Sequence, residues 1–446
     1  GSRFCNLYYL IKEISMSKEE NRKNFSKYVS QNILGMIGFS CYVLADSYFI
    51  SIAKGADGLT ALNLVMPLYS IIFSIGEMIG VGSAIRYAIS KIKKDADADD
   101  YFWNALIWCI LSSMLFVFAG IFFSADIMRV LGADEHIVAV GNNYTKIFMC
   151  FAPMFMCNYV TNAFVRNDGA PGIAMSATLF SSLFNIVFDY ILMFPMNLGM
   201  EGAALATALS PIIGMGICSI HFFSKKSSVR LVVCKPSVRK LVAGCQLGVS
   251  AFVGEMSSAV ITLAFNFVIL KLAGNVGVAA YGVVANIAIV TTAVFNGVAQ
   301  GSQPLISSCF GRGDKDGCTQ LKRMGYTTAF VLAAVMYSIL FIFAGQFVAV
   351  FNSEGSEMLR LYATEGVKLY FIGIFFAGIN IVGGGAFSAT EDAFKAAVVS
   401  VARGFVLILG AVFVMSAFFG MTGVWLAYAV AEGITTFIML VMAMRV

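Results

Sequence analysis

The side chains able to do chemistry in this chain are those that break its apolar stretches: Asp46, Glu77, Lys146, Asp189, Glu255, Lys368 and Glu432. An ionisable group costs about 2.5–3.5 kcal/mol to insert at mid-membrane, so each is a candidate functional residue. Helical rise sorts them by depth. Asp46 falls ~27 Å from the inner end of the first stretch and Asp189 ~26 Å from the inner end of the fifth, while Thr207 lies ~10 Å from the outer end of the sixth. Asn185 stands one helical turn from Asp189 on the same face. All four belong to the outer half of one lobe. Two carboxylates with an amide and a hydroxyl form a hard-oxygen donor set that suits Na⁺. Two carboxylates held close together equally suit a proton carrier. The plainer alternative is separate polar residues bonded to backbone or to an aqueous vestibule.

The other candidates divide by position. Glu255 and Glu432 reach ~20 Å from the inside and ~16 Å from the outside of the second lobe, where they are possible substrate or cation contacts or simply hydrogen-bonded glutamates. Glu77 is expected at a solvated helix end near the inner face. Lys146 and Lys368, 222 positions apart, are expected to snorkel towards the outer interface. His136 is placed in an outer loop and His221 near an inner helix end, neither with metal-ligand spacing. The 10 cysteines lack paired spacing and read as small apolar fillers. The 40 phenylalanines and 23 methionines can furnish a pliable cavity, although most must face lipid or neighbouring helices. No Walker loop occurs, and Gly311-Arg312-Gly313-Asp314 reads as a turn, so neither ATP hydrolysis nor an organic cofactor is expected.

The elements that must position these residues follow from hydropathy. Hydrophobic residues make up 59% of the 446 and charged residues 12%, and the mean hydropathy is +0.83, far from soluble usage. Stretches of about 20 apolar residues, each able to cross ~30 Å of hydrocarbon, recur twelve times. They cover 28–53, 59–85, 101–123, 136–160, 171–195, 200–223, 242–272, 277–302, 323–347, 360–385, 394–418 and 421–444. Strand alternation is absent. The expected fold is all-α: a polytopic membrane protein of twelve transmembrane helices.

The chain also repeats itself. Gly199-Met200 through Leu205-Ala206 returns as Gly420-Met421 through Leu426-Ala427; Gly55, Gly58 and Gly82-Ser83 return as Gly274, Gly277 and Gly301-Ser302. The offsets lie close to half the chain, so the protein is a tandem duplication. Each half holds an even number of spans, which makes the halves parallel repeats forming two pseudo-symmetric six-helix bundles. The repeat partners of Asp46 and Asp189 are Phe265 and Val412, so the second lobe has no copy of the polar cluster.

Basic residues give the orientation. Only Lys54, Arg129, Lys271 and Arg360 fall in the loops of one face, and Lys146, Lys368 and Arg403 lie within spans; the rest of the 30 gather on the other face, which the positive-inside rule makes cytoplasmic with both termini. The net charge of +5 thus speaks of membrane orientation, not of nucleic-acid binding. Residues 1–26 form a cytoplasmic tail, in which Gly1-Ser2 reads as a cloning remnant and Met16 as a candidate natural start. Residues 27–224 form the N-lobe, 225–240 a basic cytoplasmic linker and 241–446 the C-lobe. Glycine, alanine and serine suit close helix contacts, and Pro67, Pro153, Pro211 and Pro304 are tolerated near span ends.

Several pieces carry a resemblance: Asp46-Ser47-Tyr48-Phe49-Ile50, Ala61-Leu62-Asn63-Leu64 with Pro67, Arg166-Asn167-Asp168-Gly169-Ala170-Pro171, Asn185 through Asp189, Gly199 to Thr207, and Gln300-Gly301-Ser302-Gln303-Pro304 with Gly311. In this order and spacing the chain resembles the bacterial multidrug branch of the multidrug and toxic compound extrusion family over residues 25–446. The resemblance implies two six-helix lobes and export of organic cations or drugs driven by Na⁺ or H⁺, with the coupling site at Asp46, Asn185, Asp189 and Thr207. The chain departs from the pattern at Gln31-Asn32, where the family often has a proline, and at Lys91 to Asp95, where a glycine-containing turn is usual.

The expectation is therefore a secondary-active antiporter, not an enzyme, working by alternating access in a bacterial inner membrane, monomeric, with amphipathic or cationic small molecules as partners. One rival is a lipid-linked oligosaccharide flippase of the same superfamily, which should place several arginines or lysines in its cavity. Another is an ion channel or membrane-embedded enzyme, for which no filter repeat or nucleophile–base pair occurs.

Overall fold

A computed structural model describes residues 2–351 and 356–444; the side chains of 2–17, 56, 59, 351 and 444 lie outside that description. Expectations about the tail before residue 18 fall outside it as far as side chains are concerned. Helix α1 covers Lys18–Gly55 and α2 Thr60–Lys93. Helix α3 is Asp100–Val130, and α4 is the pair Glu135–Cys150 and Ala152–Asn167, bent by 46°. Helices α5 and α6 are Pro171–Met193 and Gly199–Phe222. The second repeat holds α7 (238–273), α8 (275–311), α9 (Lys315–Ile342), α10 (Glu357–Ala389), α11 (393–419) and α12 (421–444). The twelve spans are all present.

Three span boundaries are sharp reversals rather than loops. Gly55 (φ 58, ψ −141), Gly274 (φ 63, ψ −156) and Gly420 (φ 58, ψ −136) occupy a region open essentially to glycine alone. Gly55 and Gly274 are repeat partners, so the duplication read from sequence is also a duplication of backbone geometry. At the other face, Lys94 (φ 60) takes the left-handed turn that Gly313 (φ 75) takes in the second repeat. The missing glycine there is replaced in conformation by a lysine.

Two large apolar clusters, one per lobe, form most of the core beside two small ones, and the large pair interlock. Phe25 and Val29 at the start of α1 are buried in the C-lobe cluster, while Leu247 near the start of α7 is buried in the N-lobe cluster. The crossing is close because glycines permit it. A methyl on Gly82 of α2 would meet the Gly244 carbonyl oxygen of α7 at 2.0 Å, and one on Gly248 would meet the Met78 carbonyl oxygen at 2.0 Å. In the other half of the pseudo-symmetric pair, a methyl on Gly301 of α8 would lie 2.7 Å from Val29 Cα of α1. Ion pairs join the same face: Arg86 and Lys93 of α2 both reach Glu391, between α10 and α11, the second at 3.4 Å. Arg86 Nε also donates to the Ala243 carbonyl at 3.0 Å. The lobes are thus sealed together at the basic face.

Residues 223–237 connect the lobes and are fastened to the first. The Asp168 carboxylate, after α4, accepts from His221 Nε2 at 2.8 Å, the Ser228 amide at 2.9 Å and Ser227 Oγ at 3.1 Å. Farther on, Trp103 Nε1 donates to the Cys234 carbonyl at 2.9 Å and the Ser237 amide to Asn104 Oδ1 at 2.7 Å.

Candidate functional site

Three of the four residues expected at one depth, Asn185, Asp189 and Thr207, are in contact. Asn185 and Asp189 lie on α5 and Thr207 on α6, all three fully or almost fully buried. With its amide oriented to satisfy both ends, Asn185 Nδ2 donates to Asp189 Oδ2 at 3.1 Å, and its oxygen accepts from the Thr207 amide and hydroxyl, each at 3.2 Å. Asp46, buried on α1, stands within electrostatic reach of Asp189. One oxygen of each acid, Oδ1 of Asp46 and Oδ1 of Asp189, is buried without a partner. Buried polar atoms are normally satisfied, so two orphaned carboxylate oxygens in one cluster are acceptors for something that arrives. A small cation or a proton fits that donor set. Among the described residues no three or more His, Cys, Asp or Glu side chains stand together in a metal-holding group. Aromatic residues wall the cluster: Tyr69 and Tyr144 hydrogen-bond through their hydroxyls, and Tyr69 stacks on Phe148 at 3.7 Å.

Beside the cluster lies a partly open cavity. Helices α1, α2, α4, α5 and α6 supply most of its wall; α7 and α8 add Glu255 and Gln300 from the other lobe. Phe39, Tyr42, Phe73, Phe155 and Tyr159 with Met36 and Met175 make it aromatic and pliable. Its charged side chains are Glu77, Glu255 and Arg166. Tyr42 joins the two regions, since it lines the cavity and feels the charges of Asp46, Asp189 and Glu255.

Glu77 corrects the sequence reading. It is buried in this cavity, not at a solvated helix end, and accepts a 3.2 Å hydrogen bond from Gln300 Nε2. The reason is length: α2 continues to Lys93, so Glu77 lies ~24 Å from its inner end. Arg166 was missed for the same reason. Helix α4 continues to Asn167, past the apolar stretch that ends at 160, and carries Arg166 into the cavity. There its Nη1 donates to Gln300 Oε1 at 2.8 Å and, more weakly, to Asn32 Oδ1 and Asn162 Oδ1 at 3.4 Å. The Gln31-Asn32 pair, unusual in an apolar span, was the available signal. Asn32 Nδ2 returns to the Tyr28 carbonyl at 2.8 Å, so polar bonding replaces the kink a proline would bring.

Glu255 and Glu432 part company. Glu255 faces the cavity, half-buried, with no hydrogen-bond or ion-pair partner among the described residues. Glu432 is closed off within the C-lobe: Arg403 grips it with Nη2–Oε1 at 2.7 Å and Nε–Oε2 at 3.2 Å, and Asn380 Nδ2 donates to Oε2 at 2.7 Å. A π-helical turn at Ala402–Val406 sets the rotation of Arg403. Phe265 and Val412, the repeat partners of Asp46 and Asp189, are buried in the C-lobe apolar core. Lys368 lays its ammonium 5.2 Å from the Phe341 ring.

A duplicated twelve-helix bundle with a polar cavity where two lobes meet defines a membrane transporter. The chain belongs to the MatE family, whose model matches residues 32–191 and again 251–414. The second match begins 219 positions after the first, the spacing of Gly55 and Gly274. Similar curated proteins include the multidrug export protein MepA of Staphylococcus aureus (strain MRSA252), 27% identical over 414 residues with 90% of this chain and 89% of the relative covered. MepA of Staphylococcus saprophyticus is 26% identical over 409 residues, with the same coverage of 90% and 89%. These relatives are named as exporters rather than as enzymes. Among solved structures, an outward-facing multidrug resistance MATE family transporter of the MOP superfamily superposes with a TM-score of 0.86 at 20% identity, covering 95% of this chain and 96% of the other. A MOP superfamily transporter from Pyrococcus furiosus gives 0.88 at 20% identity, with 95% and 96% covered.

Proposed function

We propose that this protein exports amphipathic, mainly cationic organic compounds across a bacterial inner membrane in exchange for entering Na⁺ or H⁺. The observation that carries the reading is Tyr42. It stands between an aromatic cavity holding unpaired Glu255 and a buried acid pair with free acceptor oxygens. A cation reaching Asp46 and Asp189 changes the field and packing at Tyr42, and through it the cavity's hold on a cationic cargo. Asn185 and Thr207 keep the Asp189 carboxylate in place for that event. With the basic face cytoplasmic, the sealed glycine crossings and the Arg86–Glu391 pair correspond to the outward-open state. The curated relatives' names as multidrug exporters support the same substrate class.

A flippase for a pyrophosphate-linked lipid needs several cations in the cavity. Here one arginine faces two glutamates, which favours cationic cargo. The test is transport of a fluorescent organic cation in proteoliposomes under separate Na⁺ and pH gradients. The wild type should respond to at least one gradient, and Asp46→Asn and Asp189→Asn should each abolish gradient-driven transport while the dye still binds. Wild-type transport rates in either variant would remove that residue from the coupling step.

A further inference from the structure

The cavity's charge is set by three side chains and the way one amide holds two of them apart. Gln300, from α8 of the opposite lobe, turns its oxygen to Arg166 Nη1 at 2.8 Å and its nitrogen to Glu77 Oε1 at 3.2 Å. Both contacts satisfy the amide's polarity, so the guanidinium and carboxylate are fixed on either side of it, within electrostatic reach of each other. A guanidinium stays charged in any protein setting. Arg166 is buried and lines the cavity, and its Nε has no hydrogen-bond partner among the described residues. Glu77 therefore has its countercharge within the wall. Glu255 has no ion-pair partner of its own among the described residues; it lines the same space within electrostatic reach of Glu77.

We propose that Arg166 is a specificity-determining residue that fixes the valence of the cargo: it leaves the cavity with one uncompensated negative charge, so that monovalent organic cations are preferred to divalent ones of the same shape. The inference deepens the export reading above and rests on it. A monocation seated by Glu255 completes the charge balance of the cavity. A dication brings a second charge out of water with no partner, and an unpaired buried charge is strongly unfavourable. Arg166 thus occupies from within the place a second cargo charge would need. Its hydrogen bonds to the described residues all come from a single nitrogen, Nη1, so lysine can supply the same point charge, which would not hold for a forked guanidinium contact.

The test is equilibrium binding of ethidium and propidium to the purified full-length protein in lipid nanodiscs, read by dye fluorescence. The two dyes share a phenanthridinium ring, and propidium adds a quaternary ammonium. The wild type should prefer ethidium. Arg166→Gln should move the ratio of dissociation constants about tenfold towards propidium, ~1.4 kcal/mol. Arg166→Lys should stay within about twofold of the wild type, and the double variant R166Q/E77Q, which restores the net charge, should return the ratio. Glu77→Gln alone should move the ratio the other way, and it carries the test if Arg166→Gln does not fold. An unchanged ratio in Arg166→Gln, or a shift that persists in R166Q/E77Q, overturns the inference and leaves the export reading standing. Failure of the wild type to bind either dye sinks both.

Discussion

Replacing Gly248 by alanine tests whether the glycine crossings hold the lobes in their observed arrangement. The added methyl would lie 2.0 Å from the Met78 carbonyl oxygen, 2.7 Å from Met78 C and 2.9 Å from Met78 Cα. All three are backbone atoms of α2, so no side chain can swing aside. The helices must part by about 1 Å, and overpacking of this kind costs about 1–3 kcal/mol. In the proposed cycle this contact belongs to the state closed on the basic face, so the cost should fall on that state. It should shift the equilibrium away from it by about five- to 150-fold. Alanine also favours the helix over glycine by about 1 kcal/mol, so thermal unfolding of the lobes should not worsen. Spin labels at exposed positions Lys94 and Lys315, on the basic face of the two lobes, would report the change by electron–electron distance measurement. The expected result is a longer, broader distance distribution in Gly248→Ala at unchanged melting temperature. An unaltered distribution in a well-folded variant would refute the idea that this crossing sets the conformational balance.

Glu432→Gln should destabilise the protein by about 3 kcal/mol, because it leaves the partly buried Arg403 guanidinium without its counterion, and the pair replacement E432Q/R403M should recover most of that loss in a thermal-shift assay. Neither should alter dye binding, since the pair is outside the cavity. For topology, cysteines introduced at Arg230 and Glu135 in a background without native cysteines should divide: an impermeant reagent added to whole cells reaches residue 135 and not residue 230. At the face opposite the basic one, His136 Nε2 bonds Asp57 at 2.9 Å, and this hydrogen bond and charge raise the imidazole above its ordinary 6.5. The pair is therefore complete below pH 6.5 and lost as pH rises through the raised value; Asp57→Asn should lower the histidine's NMR titration midpoint, because both the hydrogen bond and the Asp57 charge are removed.

Hydropathy made the twelve spans legible because crossing hydrocarbon demands unbroken apolar length, and nothing in the packing can override that. The Asp189–Asn185–Thr207 contact was legible for a related reason: regular helical rise converts residue counts into depth, and residues at one depth on sequential helices α5 and α6 are neighbours. Glu77 and Arg166 were obscured because α2 and α4 extend beyond their apolar windows, so counting from the window's end put both nearer the surface than they are. The Glu432–Arg403 pair depended on helix rotation, which the π-helical turn at Ala402–Val406 resets by a register that periodicity does not reveal. Gln300 stood in a recognisable motif, yet its task depends on the approach of the opposite lobe. Contacts between lobes leave no local trace in either repeat.

The exchange of helix starts between the two cores has a thermal consequence. Phe25 and Val29 are buried in the C-lobe core and Leu247 in the N-lobe core, so the proposed cycle would withdraw them whenever the lobes separate at the basic face. In the proposed cycle, then, each turnover wets apolar surface that the outward-open state keeps dry. A few such side chains amount to roughly 400 Å², and newly hydrated apolar area of that size carries a heat-capacity increment on the order of 0.2 kcal/mol/K. The balance between the two access states is thus curved in temperature, and cooling weakens the hydrophobic hold that keeps the basic face shut. In the proposed cycle, the cell's temperature would act through three buried side chains that do not line the cavity.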